Sequence, residues 1–118
     1  AVDAPLWRPS AARVAEAAIT RFAAEVSTRH GTSFPDYAAL HRWSVTQPGI
    51  FWTELARFAG VIADWGEGPA LEHPERMPGA RWFPAARLNF AENLLRHTGS
   101  RPALVAIDER GTRREVSF

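Results

Sequence analysis

The residues best placed to contribute chemistry lie in one short loop, Arg81-Trp82-Phe83-Pro84-Ala85-Ala86-Arg87. Small side chains at Ala85 and Ala86 let a backbone come close to a ligand or to another surface. The same residues suit a second role, a tight lead from loop to helix with Trp82 and Phe83 anchored in the core. Both readings stand on the residues alone.

Elsewhere the pattern excludes more than it offers. His30, His41, His73 and His97 include no pair at i, i+3 or i, i+4 spacing, and zinc-type sites need three or four converging ligands, so no metal site is expected. His30 and His97 instead fall where helices should end, a position that favours a cation. Glu72 and Glu75 sit on a Gly/Pro-broken stretch, whereas acid–base work needs carboxylates held rigidly. No Gly-x-Ser-x-Gly elbow, Gly-x-x-x-x-Gly-Lys-Ser/Thr loop or Gly-x-Gly-x-x-Gly turn occurs, which removes the usual nucleophile and phosphate cradles. There is no cysteine, and all 14 Lys-plus-Arg residues are arginine. Chemistry that needs a thiolate or a lysine ammonium therefore cannot reside in these residues, and no catalytic residue is expected among them.

The 13 carboxylates leave a formal net charge of +1, too weak a field to gather a polyanion, so no nucleic-acid partner is expected. The five tryptophans, Trp7, Trp43, Trp52, Trp65 and Trp82, could stack on bases. Three of them lie on helical stripes or beside the loop, without alternating basic residues, which favours packing. No apolar run nears the roughly 20 residues of a membrane span, and the N-terminus lacks a signal-peptide pattern. A cytoplasmic protein without a membrane partner is the expectation.

The elements that would position the loop follow from periodicity. Ala1 to Pro9 reads as an extended arm with Leu6 and Trp7 as anchors. Ser10 caps a helix over residues 11–30, striped by Val14, Ala15, Ala18, Ile19, Phe22, Ala23 and Val26 and closed by Gly31. A second helix is predicted over 36–43 and a third over 48–60, opened by Pro48 and striped by Phe51, Leu55 and Phe58. Residues 61–79 are broken by Gly66, Gly68, Pro69, Pro74, Pro78 and Gly79 and predict a loop. Asn89 with Glu92 reads as a capping box opening a helix to His97, its buried side formed by Leu88, Ala91, Leu94 and Leu95. The apolar run 103–107 predicts a strand covered on both faces, and Gly111 a turn into a strand over 113–118. The expected class is α+β: about four helices over 1–97, then over 98–118 a β-hairpin that begins a larger α/β domain. Two strands alone make a marginal sheet, so further strands are expected beyond Phe118.

Three blocks, in order, carry a resemblance: Pro5-Leu6-Trp7 with Pro9-Ser10; Asp36 to Val45 followed by Pro48 and Phe51-Trp52; and Met77-Pro-Gly-Ala-Arg-Trp-Phe-Pro-Ala-Ala-Arg-Leu-Asn-Phe-Ala-Glu-Asn-Leu-Leu-Arg-His97. Together they resemble the N-terminal region of adenylate-forming acyl-CoA synthetases. The third block is more similar to the acetoacetyl-CoA than to the acetyl-CoA type. Ala85 stands where the family pattern has Gly, Ala86 where the acetyl-CoA type has Gly, and Gln47-Pro48-Gly49 where Asp-Pro-Glu is usual. The first departure bears on any close backbone contact at that point.

The resemblance implies an intact enzyme that activates a short acyl acid, such as acetoacetate, with ATP and Mg²⁺, releasing pyrophosphate. The CoA thiol then displaces AMP. It also implies that the partner of this segment is the remainder of its own adenylation domain, and that Phe83, Ala85, Ala86 and Arg87 border the CoA site. An acetyl- or propionyl-CoA synthetase, and a stand-alone helical interaction module without catalysis, are the competing expectations.

Overall fold

The computed structural model describes residues 7–118, so the arm's Leu6 lies outside the described residues. They divide between two compact units, one holding the residues up to Gly60 with Pro69–Pro84, the other Val61–Gly68 with Ala85–Phe118.

The first unit is helical. α1 (Ala11–Glu16) starts at Ser10, whose side chain accepts the Arg13 N–H at 3.2 Å. The predicted single helix breaks at Ala17, whose ψ of 139° is extended, and α2 (Ala18–His30) begins beyond it. Two forces permit the break. The Thr20 hydroxyl donates to the Val14 carbonyl at 2.6 Å, competing for an acceptor the continuous helix would use. α1 also buries no residue, so no packing holds it in line with α2.

α2 ends at Gly31, left-handed at φ 62°. α3 (Tyr37–Thr46) is capped by Asp36, which accepts the Ala39 N–H at 2.7 Å. It runs three residues past its predicted end because nothing between Trp43 and Gln47 breaks it. α4 (Pro48–Phe58) opens on proline as expected.

Phe22 and Val26 of α2 and Leu40 of α3 form the buried core, lined by Ala23, Phe34, Trp43, Phe51, Leu55 and Phe58. Phe22 meets Phe51 and Phe58 edge-on at 5.8 and 5.4 Å, and Trp43 meets Phe34 and Phe51 at 5.3 and 6.2 Å. Such pairs contribute beyond the apolar area they bury. The predicted stripe therefore packs through Phe22, Ala23 and Val26, while Val14, Ala15, Ala18 and Ile19 are exposed.

The expected structureless stretch, 61–79, holds one short strand, whose partner lies just beyond it. β1 (Leu71–Glu72) pairs antiparallel with β2 (Arg81–Trp82), Leu71 opposite Trp82 and Glu72 opposite Arg81. Two-residue strands are too short to show a period of two, which is why the residues did not announce them.

The second unit contains α5 (Phe90–Leu94) and a hairpin of β3 (Pro102–Ile107) and β4 (Arg113–Ser117). The α+β class is thus observed, with five helices among the described residues because the first is split. α5 stops well short of His97. The hairpin turn is held by Asp108, whose Oδ1 accepts the Thr112 and Arg110 N–H groups at 2.8 and 2.9 Å. These bonds, that to Thr112 foremost, hold the Asp108 carboxyl below its usual range.

Two burial expectations fail. Leu88, Leu94 and Leu95 are exposed, and so is β3 on both faces, Leu104 and Ile107 each at 68%. A five-residue helix and a two-stranded sheet have too little of their own structure to cover such faces.

Candidate functional site

The loop residues are described within their own units. In the first unit, Trp82 meets Trp52 edge-on at 5.9 Å. Phe83 takes a left-handed φ of 43°, sparse for a bulky residue, while its N–H donates to the Ala70 carbonyl at 2.9 Å. Its ring is half-buried. Trp82 is more exposed than a core anchor would be, at 46%.

In the second unit, Ala85, Ala86 and Arg87 lie against the segment 64–68. Asp64 and Arg87 form a two-way backbone bridge, Arg87 N–H to Asp64 O at 2.7 Å and Asp64 N–H to Arg87 O at 2.9 Å. Gly66, at φ +60°, faces Ala85 so closely that a Cβ there would stand 2.7 Å from the Ala85 carbonyl oxygen. A Cβ on Gly68 would stand 3.3 Å from the Ala85 methyl. The close backbone approach expected at Ala85 therefore exists, and its partner is the chain's own glycine segment. Ala86 is half-buried, and the Arg87 side chain is exposed. The guanidinium is the chemically capable group this loop presents.

Below the loop, Asn89 accepts the Glu92 N–H at 3.3 Å, the first half of the expected capping box. Asn93 was missed by sequence reasoning. Its amide oxygen accepts the Ile62 N–H and its amide nitrogen donates to the Ile62 carbonyl, both at 2.8 Å. An asparagine inside a short helix, where its propensity is poor, was the available signal.

The second missed residue is Glu54, a charged side chain only 4% exposed. It receives the Arg29 guanidinium, His30 Nε2 at 3.0 Å and Arg57 Nη1 at 2.9 Å. Burial pushes its carboxyl up, but hydrogen bonds from His30 and Arg29 and the charges of Arg57 and Arg29 prevail and hold it below its ordinary 4.5. His30 thus sits at a helix C-terminus as expected, and its partner is this carboxylate.

The other candidates remain apart. Glu72 pairs with Arg81 at 3.2 Å, and Glu75 lies exposed beside Arg76 and His73. His41 stacks on Tyr37, and His97 meets Phe118 at 5.6 Å. No group of three or more His, Cys, Asp or Glu among the described residues could hold a metal ion. Among them no helix is long and apolar enough to cross a membrane.

Comparison with known proteins adds the context. The acetyl-coenzyme A synthetase N-terminus family matches residues 37–94. An acetoacetyl-coenzyme A synthetase of Rhizobium meliloti (strain 1021) is 48% identical over 87% of this chain and 16% of its own length. A malonamoyl-CoA synthetase of Penicillium aethiopicum is 34% identical over 96% of this chain and 16% of its own. The solved acetoacetyl-CoA synthetase of Streptomyces lividans superposes with a TM-score of 0.86 at 42% identity, covering 98% of this chain and 18% of that one. The chain thus spans about a sixth of the length of the curated relatives it matches.

Proposed function

We propose that the chain is the N-terminal, bracing segment of an AMP-forming acid–CoA ligase of the acetyl- and acetoacetyl-CoA synthetase family, acting on acetoacetate. The observation that carries this reading is the joint match of sequence and fold to acetoacetyl-CoA synthetases along nearly the whole chain. In the proposed reaction the acid's carboxylate attacks the α-phosphorus of ATP and expels pyrophosphate. The CoA thiol then attacks the acyl carbonyl and expels AMP.

Any lysine that serves these steps must lie outside this lysine-free chain, so apart from the rim of the CoA site its contribution is structural. Residues 1–97 serve as the helical collar and 98–118 as the first hairpin of the adenylation domain. The exposed apolar faces of α5 and the hairpin are what the rest of that domain would cover. Phe83, Ala85, Ala86 and Arg87 form the rim of the CoA site in this reading, with Arg87 the group that meets a phosphate of CoA.

The complete ligase tests the assignment. Acid-dependent ATP–pyrophosphate exchange should be fastest with acetoacetate. Faster exchange with acetate or propionate would reassign the acid, and none with any short acid would refute a ligase.

A further inference from the structure

We infer that Gly68 is a positioning residue for Arg87, acting through Ala85 because residues 68 and 85 share room for a single methyl group; this rests on the reading that residues 85–87 border the CoA site. Three contacts from one short segment meet the loop in order. Asp64 holds the Arg87 backbone in both directions, Gly66 seats the Ala85 carbonyl, and Gly68 faces the Ala85 methyl. Asp64 also ties its own segment, its Oδ1 accepting the Gly66 N–H at 3.2 Å.

The two glycines answer to different constraints. At Gly66 a side chain would meet a backbone oxygen in a left-handed conformation, so no change elsewhere could relieve it. At Gly68 the sole close neighbour of an added Cβ among the described residues is the Ala85 methyl, at 3.3 Å. That methyl is fixed to the backbone and has no rotamer by which to yield. A second methyl must therefore push the loop. Arg87, two residues along and clasped by Asp64, takes the displacement, and a shift of a few tenths of an ångström is enough to misalign a phosphate contact. The pair is a size match: Gly opposite Ala fits, Ala opposite Ala does not, and Ala opposite Gly should fit again.

The test uses the complete ligase and three variants, Arg87→Ala, Gly68→Ala and Gly68→Ala with Ala85→Gly. The readouts are KM for CoA and the ATP–pyrophosphate exchange rate, which needs no CoA and which a general loss of folding would also lower. Arg87→Ala should raise KM for CoA about tenfold, the loss of one charge-assisted contact. Gly68→Ala should raise it about threefold with exchange unchanged, and the added Ala85→Gly should return it to the parent value. If Arg87→Ala raises KM and Gly68→Ala does not, the positioning role is wrong and the rim reading stands. A Gly68→Ala effect that Ala85→Gly fails to reverse, or that appears equally in the exchange rate, also overturns it. An unchanged KM in Arg87→Ala refutes the rim reading and the positioning role with it.

Discussion

At the scale of single residues, Glu54 is the buried charge on which three side chains converge. It is buried while two of its partners are not, Arg29 being 40% and Arg57 55% exposed. Removing one arginine leaves the carboxylate with two cationic or hydrogen-bonding partners, so Arg29→Ala should cost only about 1 kcal/mol. Removing both arginines leaves a buried charge with His30 alone, and Arg29→Ala with Arg57→Ala should cost about 3 kcal/mol. Urea unfolding of the parent, Arg29→Ala, Arg57→Ala and the double variant measures both, and a strictly additive pair of losses would contradict a shared buried carboxylate. The pH dependence has a definite sign. A carboxyl lowered in the folded state contributes stability above its unfolded value of 4.5, and that contribution is lost as pH falls through the lower folded value. Stability followed from neutral pH into acid should therefore fall below about pH 4.5, and Glu54→Gln should flatten that part of the curve. A glutamate in the middle of a helical sequence gave no warning of this role, because burial of a polar residue is decided by which helices meet it.

At the scale of elements, the legible features were those with a local cause. Ser10 and Asn89 were readable as caps, since a short polar side chain before an apolar stripe satisfies free N–H groups wherever the helix lies; Asp36, read as the first residue of its helix, is a cap as well. Asp36→Ala should destabilise the chain by about 1 kcal/mol, visible as a lower urea midpoint with an unchanged slope. The stripe of α2 was readable too. Phe22→Ala empties a site walled by Phe51 and Phe58 and should cost about 3–5 kcal/mol, enough to lose the cooperative melting transition of a domain this small. What could not be read had a tertiary cause. The break at Ala17 depends on a hydroxyl three residues beyond it and on α1 having nothing to pack against. β1 and β2 depend on each other across an eight-residue loop. The candidate loop lay between these cases. Its small residues signalled a close approach, but only the fold shows Gly66 and Gly68 to be what approaches.

At the scale of the whole molecule, the exposed apolar faces of the hairpin carry the clearest consequence. Leu104 stands opposite Val116 on one face, and Val105 and Ile107 share the other. Uncovered strands of this kind promote association. Residues 1–118 should therefore self-associate as concentration rises. Leu104→Lys with Ile107→Lys should suppress this in light scattering while changing folding stability by no more than about 0.5 kcal/mol; equal scattering from parent and variant would show that the hairpin is not the sticky surface. The sequence by itself determined the α+β class, the helix caps, the α2 packing stripe, and the exclusion of lysine- and thiol-dependent chemistry, because each depends on residue type or on spacing within one turn or strand. The tertiary structure alone decided which carboxylate is buried, where the first helix breaks, and which glycines meet Ala85. The buried carboxylate and the Ala85 contacts are set by groups 17 to 25 residues apart in the chain, from Gly68–Ala85 to Arg29–Glu54, and no local pattern encodes a contact at that separation; the break turns on the Thr20–Val14 bond and on α1 having no buried residue.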